Sequence, residues 1–209
     1  MTIACDDVFA GNSWVHISGT AKFDLGGHDV HVGNVRDGNA DGSLGSQFSS
    51  VTPAVLTVSQ LADDSCVAAF TGGAGIRKLG GKVLTMLAVS TSTGTVEVAE
   101  GTLEFAAAAS WQKASSVTVS GGTLKLATSS VFGKKTDVRL TSGALNLAAG
   151  VNQTVADLYL NDSERPAEIG IWGASDNMSV PASHRTSLIT GSGVLTVRGR
   201  HPGCVLMVR

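Results

Sequence analysis

The chain is poor in the groups that most often carry chemistry. Charged residues make up 15% of its 209 positions and aromatics 5%, against roughly 25% charged residues in an average soluble domain. The net charge of −2 leaves no basic footprint for nucleic acid or an acidic membrane surface. Cysteine is sparse: Cys5, Cys66 and Cys204 are widely spaced and form no C-x-x-C pair, so buried or incidental thiols are expected, with a single disulfide as the alternative. No apolar run approaches the ~18 residues of a membrane helix. The opening "MTIACDDVFAGNS" has neither the basic start nor the apolar stretch of a secretion signal.

What the chain has instead is glycine, 26 residues of it, abundant valine, and a repeat. "GTVEVAEGTLEFA" at 94–106 returns as "SSVTVSGGTLKLA" at 115–127 and "TDVRLTSGALNLA" at 136–148. Gly101, Gly122 and Gly143 are spaced by 21, and so are Val96, Val117, Val138 and Leu103, Leu124, Leu145. Within each copy apolar residues alternate with polar ones, the mark of strands with one face in and one face out. One copy cannot bury its own apolar stripe, so copies must stack and cover one another. Stacking in register turns equivalent residues into columns, places Glu104 beside Lys125, and makes the glycines a corner. The expected fold is all-β, a single-stranded parallel β-helix with coils of about 21 residues.

A leucine-rich repeat lacks its L-x-x-L-x-L motif here, and a propeller blade needs roughly 40–45 residues. An antiparallel sandwich also fits V-x-V-x-x-G-x-L-x-L read as a hairpin, but the constant interval favours the solenoid. Residues 1–209 read as one domain, with regular coils over about 76–148 and looser coils and loops over 14–75 and 149–209. The pairs "FDL" (23–25), "LTV" (56–58), "LTM" (84–86) and "LTV" (195–197) read as degenerate copies, with loops at 36–54 and 161–187. Chain length alone suggests about ten coils, a rod on the order of 40–50 Å. Open coil ends expose strand edges, so further repeats or caps are expected, and with them a longer polypeptide.

"IRKLGGKVLTML" (76–87) followed by "STGTVEVAEGTLEF" (92–105) resembles the autotransporter-associated passenger repeat of bacterial surface proteins. Lys78, Gly80, Leu84, Gly94, Val98, Gly101 and Leu103 match its pattern, while Lys82 and Val83 depart from it. "FDLGGHDVHVGNV" and "VADLYLNDSERPAEIGIWGA" with "ITGSGVLTV" are similar to the flanks of such modules. The resemblance implies a right-handed β-helix displayed extracellularly on the bacterial surface, often carried by an outer-membrane barrel. No barrel-like strands are present in this sequence. A non-catalytic structural or adhesive passenger module follows as the leading expectation, with host or matrix glycans or proteins as partners. The alternative is a carbohydrate-active or glycan-binding β-helix.

Candidate chemistry is thin. Asp37, Asn39, Asp41 and Gly42 match the first half of a calcium loop, but Phe48 stands where a bidentate Glu belongs; an ordinary exposed turn or weak calcium binding both fit. His28 and His31 are an odd number apart and would face opposite sides of a strand. His16, His184 and His201 lack partners at ligand spacing. A polysaccharide lyase or glycosidase needs carboxylates gathered on one outward face. The outward columns Glu97–Thr118–Arg139 and Glu104–Lys125–Asn146 hold no acidic pair, while Asp162, Glu164, Glu168 and Asp176 fall in a loop-rich stretch. Trp14, Trp111 and Trp172 would stack on sugars or cap a core. No catalytic, cofactor or metal residue is assigned.

Overall fold

The computed structural model describes residues 1–9, 11–37, 45–106 and 109–200. They form a parallel β-helix of about seven turns with roughly 21 residues per coil. The one helical element among the described residues is the 3-10 turn Ala182–His184.

The coils contribute strands to two long faces and shorter pairings to a third. The first face runs through Lys22–Asp24 and Val30–Val32, Gln47–Val58, Ala69–Lys78, Val96–Val98, Ser116–Val119, Asp137–Leu140 and Leu158–Leu160. The second runs through Asp64–Cys66, Val83–Met86, Thr102–Phe105, Thr123–Leu126, Ala144–Leu147 and Ile189–Thr190. The third is short, with Val89–Ser90 beside Ser110–Trp111 and a bridge from Trp111 to Phe132. The expected columns are present: Val96 pairs with Val117 and Val117 with Val138, and Leu103, Leu124 and Leu145 follow one another.

The interior is a set of apolar stacks. Alternation puts Leu103, Phe105, Leu124, Leu126, Leu145 and Leu147 inside, all buried. Phe23, Phe48 and Phe70 stack at 5.6 and 5.1 Å between ring centroids. Ser90 follows Phe70 in that stack and is small enough for Phe70 to meet Trp111, one coil further, at 4.7 Å. Gln153 continues this column, donating to the Phe132 carbonyl (3.0 Å) and accepting from its N–H (3.2 Å), and Leu195 follows it. Burying one such apolar side chain is worth roughly 1.5–3 kcal/mol. The outward Glu104–Lys125 pair, at 2.9 Å with both side chains partly exposed, adds about 0.2–1 kcal/mol. The core therefore decides the register.

Three expectations differ from the structure. Leu56, Leu84 and Leu195 do not share a column: Leu56 pairs with Val30 and Ile76, Leu84 with Leu103, and Leu195 with Gln153. The intervals of 28 residues from Leu56 to Leu84 and 50 from Leu145 to Leu195 therefore span different faces and do not measure loops. The 36–54 region also contains the start of the long strand Gln47–Val58, bulged between Ser50 and Ala54. The count of about seven turns, not ten, follows from excursions between coils. In one of these, Leu145 pairs with Ile189, 44 residues on, and the intervening chain places Gly170–Ala174 antiparallel to Val194–Val197.

Candidate functional site

On the first face the outward residues form two neighbouring columns. One reads Arg77, Glu97, Thr118, Arg139, Tyr159, with the Arg77 Nε 3.4 Å from Glu97 Oε1. Its last two members stack, the Arg139 guanidinium 4.5 Å from the centroid of the Tyr159 ring. Arg139 also donates to the Ser163 carbonyl (3.1 Å), which fixes the guanidinium in place.

The second column brings together Ser116, Asp137 and Asp157. Ser116 pairs with Asp137, and the Val138 N–H donates to the Asp157 carbonyl at 2.9 Å. Two carboxylates thus lie on successive coils of one outward face. The columns read from the sequence, Glu97–Thr118–Arg139 and Glu104–Lys125–Asn146, do stack as expected. The acidic pair lies in the column beside the first of them. It escapes a search at the repeat interval because Asp137 and Asp157 are 20 residues apart, not 21.

Arg200 binds both carboxylates. Its Nη2 donates to Asp137 Oδ2 and its Nε lies 3.3 Å from Asp157 Oδ2. The hydrogen bond to Asp137, then the charge of that carboxylate and more weakly of Asp157, hold the guanidinium above its ordinary value. Asp137 keeps its other oxygen, Oδ1, buried with no hydrogen-bond partner among the described residues. A hollow of about 200 Å³ lies against this cluster, lined by Ser116, Thr118, Asp137, Arg139 and Tyr159. Another, of about 370 Å³, is lined by Lys134, Lys135, Ala156, Gly199 and Arg200. Arg200 engages one oxygen of each carboxylate, in charge-assisted contacts that hold the pair in place. Hydroxyls, an aromatic ring and cations around two hollows suit binding.

No family model, curated protein or solved structure matches this chain.

The other sequence candidates do not converge. His28 Nδ1 sits 3.1 Å from Asp6 and His31 Nε2 sits 2.7 Å from Ser59 Oγ, so the two histidines have separate partners. His16 stacks on Trp14 (6.4 Å) and His184 on Trp172 (4.8 Å), with Glu168 3.4 Å from His184 Nε2. Asp162, Glu164 and Asp176 are exposed in the 161–187 excursion and make no cluster with Glu168. Trp111 and Trp172 are buried, whereas Trp14 is 49% exposed beside an apolar hollow with Phe9 and Phe23. Of the calcium-type loop, Asn39, Asp41 and Gly42, with the side chain of Asp37, lie outside the described residues, as do His201 and Cys204.

One cation lies inside the coil stack. Lys78 follows Val58 and precedes Val98 in an inward column and is fully buried. Its ammonium donates to the carbonyls of Leu79 (2.7 Å), Gly80 (2.8 Å) and Glu100 (3.3 Å). Burial pushes its pKa down to about 8, against the pull of the Glu100 and Asp63 charges. The strict alternation of Ile76, Arg77, Lys78 was the available signal.

Proposed function

We propose that the chain is a non-catalytic structural and adhesive module of the autotransporter passenger kind, presented on the bacterial surface. The observation that carries this reading is the division of labour between inside and outside. The interior is closed by apolar stacks, and the acidic pair on the first face is held by Arg200. What remains outside is a regular wall of polar columns, suited to contact and not to turnover. The resemblance of residues 76–105 to the passenger repeat supports the same reading. The test is to fuse the chain behind a secretion signal and ahead of an outer-membrane barrel. Cells displaying it should adhere to glycan- or matrix-coated surfaces more than cells displaying the barrel alone; equal adhesion refutes the reading.

A carbohydrate-active reading draws on one observation, the placement of Asp137 and Asp157 on successive coils. It requires release of reducing ends or unsaturated uronates from a polysaccharide panel, lost in Asp137→Asn. Turnover with that dependence would replace the first reading.

A further inference from the structure

We propose that the two hollows flanking Asp137 form one binding site for an acidic polysaccharide. A sugar ring would occupy the smaller hollow, and the carboxylate or sulfate of a neighbouring sugar the larger one. This deepens the adhesive reading and rests on it for its biological setting, though not for its chemistry.

The smaller hollow has the makings of a sugar subsite. Ser116 and Thr118 offer hydroxyls, and Asp137 Oδ1 is an acceptor with no partner among the described residues. Arg139 covers one face of the Tyr159 ring and is itself anchored on Ser163, so an aromatic ring and a planar cation are pre-set at the rim. Pre-setting lowers the ordering cost of binding.

The larger hollow supplies the charge. Lys134 and Lys135 are exposed and make no ion pair among the described residues. Together with Arg139 and Arg200 they exceed the charge of Asp137 and Asp157 by two, on a chain whose net charge is −2. This local excess is small and confined, unlike the extended basic stripe that follows a nucleic-acid backbone. Because Arg200 lines one hollow and Asp137 the other while the two are hydrogen-bonded, the hollows are adjacent. One oligosaccharide would span both.

The purified chain should be retarded in affinity electrophoresis by polygalacturonate or dextran sulfate and not by neutral dextran. Stronger retardation by polygalacturonate identifies carboxylate as the recognised group, and stronger retardation by dextran sulfate identifies sulfate. The double variant Lys134→Ala/Lys135→Ala and the single variant Tyr159→Ala should each weaken binding about tenfold or more, with melting temperatures confirming that both fold. No retardation by either anionic polymer overturns the site, as does equal retardation by dextran. Binding to double-stranded DNA of matched charge as tight as to the polysaccharides, or variants that bind like the parent, overturns it as well. Displayed cells separate the two proposals. Displayed cells that adhere while the purified chain is retarded by neither anionic polymer remove the site and leave the adhesive reading. Purified chain that binds while displayed cells do not adhere does the reverse.

Discussion

Lys78 is a cation in an apolar column, kept there by three carbonyls. Its folded pKa of about 8 lies below the ordinary value of 10.5. Between these two pH values the unfolded chain holds a proton that the folded chain has released. Protonation then favours unfolding, so stability should rise from about pH 8 to about pH 10.5 and be flat with respect to this group below pH 8. The size is about 3 kcal/mol if the full shift is expressed. Urea unfolding at a series of pH values should show this rise in the parent chain and not in Lys78→Met. At pH 7 the methionine variant should still be less stable, by about 2–4 kcal/mol, because three carbonyls lose their donor. Equal pH slopes in the two proteins would show that Lys78 remains charged throughout.

At the scale of the strand and its corner, the glycine column sets how closely coils approach. Gly101 and Gly122 have φ of +62° and +60°, and a Cβ on either would come within 2.4 Å of the carbonyl of the glycine one coil earlier. Gly143 differs: its φ is ordinary, and close approach alone, 2.5 Å to the Gly121 carbonyl and to Val119 Cγ1, excludes a side chain. Gly81 has an ordinary φ and open space around a Cβ. Gly101→Ala and Gly122→Ala should each cost about 2 kcal/mol or more, and Gly81→Ala should lie within about 0.5 kcal/mol of the parent. Thermal melts of the three variants check this. These corners were legible because Gly101 and Gly122 recur with the strands around them. The strands at Leu56, Leu84 and Leu195 were misplaced for a physical reason. Apolar-x-apolar is what any face demands, so the motif reports burial without saying which face. The Asp137–Asp157 pair was hidden by a coil one residue short, and Lys78 by the ordinary rule that lysines face water.

Over the whole molecule, the repeat makes the chain divisible at one interval. Removing residues 123–143 takes out 21 residues and joins Gly122 to Ala144, which restores the columns with one coil fewer. That deletion should fold with a single cooperative transition and an unchanged β-sheet circular dichroism band. It should also lose binding to acidic polysaccharides, since Lys134, Lys135 and Asp137 leave with the coil. Removing only residues 123–133 shifts Leu145 and every later residue around the coil and should give no cooperative transition.

The pairing of each coil only with its two neighbours also has a mechanical consequence. A pull applied to the two ends of the chain loads the terminal coil first, because among the described residues each strand on the first two faces pairs only with strands of adjacent coils. The regular section should then peel instead of shearing as a block. In a force–extension trace each freed coil of about 21 residues would appear as a lengthening of about 70 Å, repeated like stitches drawn one by one from a seam.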